Sequence, residues 1–180
     1  MKTLLATICI LGIAGMMIGT MARAGNTVTA TVTPGNYAVS VLPTSAPYGG
    51  MTLSATVTST QITATNDGSL TAKLNIIGSD ATYSTYTWTQ STTAPGTDIF
   101  VHAFTTKAIS PASGATLGSD PAIAWVSLDK TSTYKTLVAS VASLGTQAFT
   151  LDMRTPTTAG AGTSFGHEYS TSVVVAAVAP

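Results

Sequence analysis

Residues 62–80 read ITATNDGSLTAKLNIIGSD, two alternating runs around Asn66-Asp67-Gly68-Ser69. Leu70, Ala72, Leu74 and Ile76 share one parity, and Thr71, Lys73 and Asn75 share the other. On the near side Ile62 and Ala64 alternate with Thr63 and Thr65. Successive side chains of a strand point to opposite faces, so each run buries one face and wets the other. Asp-Gly between two such runs is a strong short-range hairpin signal, because glycine accepts a positive φ without steric cost. The expectation is a β-hairpin here and a β-sandwich around it.

The same period recurs along the chain. Residues 27–33 (TVTATVT) alternate Val28, Ala30 and Val32 with threonines. Residues 36–42, 51–57, 83–90, 123–128, 147–154 and 169–178 read as further strands, and turn residues separate them. A bend or bulge is expected between Tyr83 and Tyr86, which lie on opposite parities. Residues 99–105 (IFVHAFT) are apolar on both parities, which suits a central strand. Residues 134–144 are ambiguous: Leu137, Val141 and Leu144 have helical spacing, so a short strand and a helical turn both fit. Crossover helices for parallel βαβ units are lacking. The fold class is therefore all-β, an antiparallel two-sheet sandwich, immunoglobulin-like or jelly-roll-like, of about nine or ten strands.

Residues 1–24 have the form of a cleaved secretory signal. Lys2 precedes an apolar run from Leu4 to Ile18, and Ala22-Arg23-Ala24 supplies a small-x-small cleavage pattern before Gly25. The run is short for a membrane span. The single cysteine, Cys9, lies inside this segment, so the mature chain relies on core and sheet rather than disulfides. Three segments follow: the signal at 1–24, an N-terminal strand and hinge at 25–35, and a sandwich at 36–180. The protein is expected to be secreted, extracellular or at the cell surface, with no membrane span after cleavage.

Charge is scarce. Charged residues make up 8% of the chain, against roughly 25% in an ordinary soluble domain. Without Lys2 and Arg23, five basic residues face seven acidic ones. No basic patch exists, so nucleic acid is not an expected partner. Hydroxyl-covered sheet faces resist association poorly, which makes self-association plausible.

The ITATNDG stretch, the following Ile-Ile-Gly-Ser-Asp and the aromatic Tyr86-x-Trp88 strand resemble the immunoglobulin-like modules of secreted bacterial and archaeal surface proteins. The cysteine pair of antibody domains is missing, so the likeness is one of architecture. The leading strand, joined through Pro34-Gly35, is similar to that of pilins that assemble by donor-strand exchange. An extended segment of this kind can complete a neighbour's sheet, main-chain bonds giving affinity and alternate side chains filling pockets. The resemblance implies a homo-oligomer or polymer formed by β-strand addition, with Val28, Ala30, Val32, Pro34 and Gly35 as subunit-interface candidates. The alternative is that residues 27–33 form the first strand of their own sandwich.

No catalytic, cofactor or metal site is expected. His167-Glu168 is the only adjacent histidine–acid pair, and His102 is the only other histidine, so the two-histidine metalloprotease helix is missing. Gly-x-Ser-x-Gly spacing occurs once, at Gly162-Thr163-Ser164-Phe165-Gly166, but no helical run follows it as a nucleophile elbow needs, and no phosphate loop occurs. Asp67, Asp80, Asp98 and Asp120 sit at turns, where aspartate bonds its own backbone more often than it holds calcium. Tyr86, Trp88, Trp125 and Tyr134 offer a sugar-stacking platform, although tryptophans on sandwich strands are more often core. Two functions follow as expectations: a non-enzymatic subunit of a filament or pilus-like fibre, and alternatively a secreted carbohydrate- or cell-wall-binding module. Intact-mass measurement of the exported protein should give a chain beginning at Gly25; a mass that includes residues 1–24 would contradict the cleavage.

Overall fold

The computed structural model describes residues 32–109 and 123–180. The expected strand at 27–33 falls outside these residues except for Val32 and Thr33, as do the expected signal, Val28, Ala30 and Asp120. Eleven strands run in chain order: β1 Val39–Leu42, β2 Thr56–Thr58, β3 Ile62–Asn66, β4 Ala72–Ile77, β5 Ala81–Tyr83, β6 Tyr86–Ser91, β7 Ile99–Thr105, β8 Val126–Ser127, β9 Lys135–Val141, β10 Thr146–Arg154 and β11 Val174–Val178. They form an eight-stranded sheet of order β1-β3-β10-β7-β6-β5, with β2 on β10 and β8 on β7, and a three-stranded sheet of order β11-β4-β9. The fold is thus an all-β sandwich of two unequal sheets.

The alternation at 62–80 buries the side chains the sequence marks: Ile62, Ala64, Ala72, Leu74 and Ile76 are all core. The hairpin, however, does not form. β3 pairs with β1 and β10 in the large sheet, whereas β4 pairs with β9 and β11 in the small one. Residues 67–71 are an arch that carries the chain from one sheet to the other. The reason lies in Asn66, whose side chain is completely buried. Its Nδ2 donates to the carbonyls of Leu70, Val141 and Ala142 at 2.9, 2.9 and 3.1 Å, and its Oδ1 accepts from Gly68 N at 3.0 Å. Val141 and Ala142 open the second arch, β9 to β10, which also crosses between sheets. Main-chain bonds from Asn66 N to Gly145 O and from Leu144 N to Asn66 O complete the clasp.

Gly68 is required here by space rather than by a positive φ. A Cβ would stand 2.5 Å from Asn36 O and 2.9 Å from Ala38 N. That closeness comes from residues 36–38, which brace the arch through Asp67 N to Ala38 O, Leu70 N to Asn36 O and Ser69 N to Asn36 Oδ1. Leu70, expected on the buried parity, lies in the arch and is 40% exposed.

β7 is buried from Phe100 to Thr105, as a central strand should be, with β10 and β8 antiparallel to it. β6 runs parallel to β7, a departure from the all-antiparallel expectation. Parallel neighbours ordinarily need a long crossover. Here only Thr89–Ser91 pair with Ile99–Val101, so the chain steps back about two residues and the short link at 92–98 suffices. Tyr83 and Tyr86 flank a tight turn with Ser84 at φ 53°, which joins β5 to β6 as a hairpin instead of a bulged strand. Within residues 134–144 the chain forms strand β9 over Lys135–Val141, and Leu144 lies in the turn that follows. Its register against β4 slips twice, between Ala72 and Leu74 and between Leu74 and Asn75. Extra residues at such bulges stretch the spacing of buried positions, so Leu137 and Val141 imitate a helix.

Gly35–Pro180 forms one compact unit, distinct from Met1–Pro34. The main core joins Ile62, Phe104, Phe149 and Leu151 of the large sheet to Leu74, Ile76 and Leu137 of the small one. A second cluster, Ala81, Phe100 and Met153, gathers Tyr48, Met51, Trp88 and Tyr169 around it.

Removing the Asn66 amide strands buried carbonyls in both arches. Asn66→Ala is expected to cost about 2–4 kcal/mol in denaturant unfolding, whereas exposed Asp67→Ala should change stability by less than about 0.5 kcal/mol. Equal effects of the two would contradict the clasp.

Candidate functional site

Three strands cannot cover the inner face of the larger sheet, and a cleft of about 1070 Å³ remains. Its floor is that inner face: Ile62 of β3, Phe149, Leu151 and Met153 of β10, His102 of β7 and Trp88 of β6. One wall is residues 43–51. The other is residues 166–171 with Val173 and Val175 at β11. Ser170 bridges Thr82 of β5, and β11 lies beside β1. Residues 170–178 therefore pass from one margin of the large sheet to the other. β4 occupies one edge of β11, and among the described residues no strand pairs with its other edge.

Sandwich edges usually carry a charge that repels a further strand. In the small sheet β9 has Lys135, but β11 (VVAAV) has no charged residue. The cleft thus combines an apolar floor with an uncharged, unpaired edge.

One polar contact crosses it. Tyr48 Oη lies 2.7 Å from His102 Nε2, with the rings edge to face. Burial, aided by the negative charge of Asp152, pushes the Tyr48 phenol far above its ordinary pKa, so it stays protonated. Burial also lowers His102 to about 4, because the charged imidazolium is poorly solvated there. A neutral imidazole with Nε2 accepting and a phenol donating satisfy both shifts. An imidazole titrating near 4 is a poor general base at neutral pH, so the pair serves as a contact between wall and floor.

Aromatic rings cluster at the β5–β6 end. Trp88 stacks on Tyr169 at 4.2 Å, His167 stacks on Tyr83 at 4.2 Å, and Tyr86 lies parallel to Tyr83 at 6.4 Å. Trp88 Nε1 donates to Thr163 Oγ1, and Tyr169 Oη donates to Gly162 O. Asp98 positions this loop from a left-handed φ of 52°, accepting bonds from Gly160 N, Gly162 N and Thr163 Oγ1 at 2.8, 2.7 and 2.6 Å. Burial acts to raise its pKa, but the bonds from Thr163, Gly162 and Gly160 outweigh it and hold the carboxyl below its ordinary value.

The candidates from the sequence are distributed as follows. Val28 and Ala30 lie outside the described residues; Val32 is 88% exposed, and Pro34 and Gly35 are exposed. A Cβ on Gly35 would collide with the Leu70 side chain. Tyr86 and Trp88 meet in the aromatic cluster, while Trp125 and Tyr134 do not join it. His102 is buried in the floor and His167 is exposed at the rim. Among the described residues no group of three or more metal-ligating side chains occurs. Sequence reasoning missed Tyr48 and the wall at 43–51. Their only signal was a tyrosine inside a Pro/Gly-rich loop, with its histidine partner 54 positions away.

His102 makes stability pH-dependent. The unfolded imidazole takes a proton below about pH 6.5, and the folded one refuses it down to about 4. Stability is therefore complete above that window and is lost as pH falls through it, by about 3 kcal/mol in total. Denaturant midpoints between pH 7 and 4 should show this slope, and His102→Gln should flatten it; an unchanged slope would contradict the buried neutral imidazole. No protein-family model and no curated protein matches this chain.

Proposed function

We propose that this protein is an exported structural subunit of a filament or pilus-like fibre, in which the leading strand of one copy adds to the cleft of the next. The observation that carries this reading is the cleft itself, an apolar floor beside the unpaired, uncharged edge of β11. A strand laid along residues 170–175 would cross the floor from β6 to β3. Those four adjacent strands span about 15 Å at ordinary strand spacing. Val28, Ala30 and Val32 span about 13 Å in an extended chain, so three small apolar knobs on one face match the floor's width. The threonines between them would face outward. Each subunit then offers a donor at one end and an acceptor elsewhere, and such a head-to-tail contact grows a filament when it does not close into a ring.

A second reading, a carbohydrate-binding module, draws on the cluster of Tyr83, Tyr86, Trp88, Tyr169 and His167. Those rings are stacked on one another, which uses the faces a sugar ring would take. Assembly is the better-supported reading.

Electron microscopy of the mature protein should show polymers, and a chain lacking residues 25–33 should remain monomeric at the same concentration. Intact protein that stays monomeric at high concentration, or a truncated one that still polymerises, would overturn the proposal. Retention on polysaccharide, lost in Trp88→Ala, would favour the binding module instead.

A further inference from the structure

The wall at 43–51 is held chiefly by Tyr48, which packs against both cores. It holds Pro43, Pro47, Gly49 and Gly50, and most of it is exposed. Among the described residues its one hydrogen bond to the rest of the unit is Tyr48 Oη to His102 Nε2. Ala46, Tyr48 and Met51 are the residues of this segment that pack against the two cores. Gly49 takes a left-handed φ of 70°, and nothing lies within 4 Å of where its Cβ would be. Segments with few bonds and small buried contacts are those that open first in a folded protein.

The cleft lies between this segment and residues 166–175, so a strand entering beside β11 must displace or widen the nearer wall. We infer that residues 43–51 are a lid, latched by Tyr48 on His102, which shields the apolar floor in the free subunit and swings aside when the leading strand of a second copy arrives. This inference rests on the assembly reading. The exchange gives up one latch bond and the packing of Ala46, Tyr48 and Met51, and gains main-chain bonds to the open edge of β11 at Val174 and Val175. Pro47, Gly49 and Gly50 keep the segment itself from offering those bonds as a regular strand. A shielded floor also keeps free subunits from collapsing on one another through exposed apolar surface.

The test uses the mature chain in dilute solution and a fluorescein-labelled peptide of residues 25–33. Association rates are measured by anisotropy for the unaltered chain, Tyr48→Phe and Gly49→Ala. Acrylamide quenching of Trp88, in a Trp125→Phe background, reports how open the cleft is without any peptide. Tyr48→Phe keeps the ring and deletes the latch bond, so quenching and association rate should each rise about fivefold. Gly49→Ala touches nothing and only strains the closed lid, so it should act in the same direction even if Tyr48→Phe loosens the core. Equal association rates in all three chains would overturn the lid and leave the assembly reading standing. A peptide that binds none of them would overturn both.

Discussion

The buried amide of Asn66 is the constraint from which the architecture follows. One side chain ties the arch after β3 to the arch after β9, and each arch moves the chain between sheets. Had residues 66–69 closed a hairpin, β3 and β4 would share a sheet and the two layers would be divided differently. The clasp instead sends β4 and β9 to a small sheet that only β11 joins. A carboxamide suits this position because it carries two donors and an acceptor and stays neutral, so its burial brings no ionic desolvation cost. The unequal layers, and hence a cleft closed by residues 43–51 and 166–171 rather than by strands, are a consequence of that division.

The fold class was legible because period-two alternation marks strands and their buried parity directly. Ile62, Ala64, Ala72, Leu74 and Ile76 face the core as their spacing says. Pairing was not legible. A hairpin and an arch demand the same alternation on both arms, and they differ in where the turn's polar side chain sends its bonds, here to carbonyls more than 70 residues away. Bulges in β9 left a strand and a helical turn both open there, and the β6–β7 parallel pair needed only a three-residue overlap that no composition signals. The site was less legible still. The leading strand stands out in the sequence, but its proposed acceptor is a shape assembled from β3, β6, β7, β10 and β11 with no motif of its own. The aromatic residues were half visible: Tyr83 and Tyr86 flank the β5–β6 turn with Trp88 two residues on, but His167 and Tyr169 reach them only through a loop organised by Asp98.

The scarcity of charge and the lack of cysteine in residues 25–180 are consistent with the proposed assembly. A surface of threonine and serine neither steers nor repels strongly, so in the proposed fibre association would rest on main-chain bonds and small apolar knobs. Strand addition, as proposed, would supply both, and its specificity would be steric, set by the small side chains of Val28, Ala30 and Val32.

The most direct test of the acceptor is a thiol pair placed between copies, since residues 25–180 contain no cysteine. Ala30→Cys and Val175→Cys are prepared separately, then mixed under mild oxidation, so that any mixed disulfide joins two molecules. If the leading strand of one subunit lies beside β11 of another, the mixed dimer should be the dominant product. If the thiols stay unpaired, or each preparation pairs only with itself, the leading strand does not reach that edge and the account is wrong.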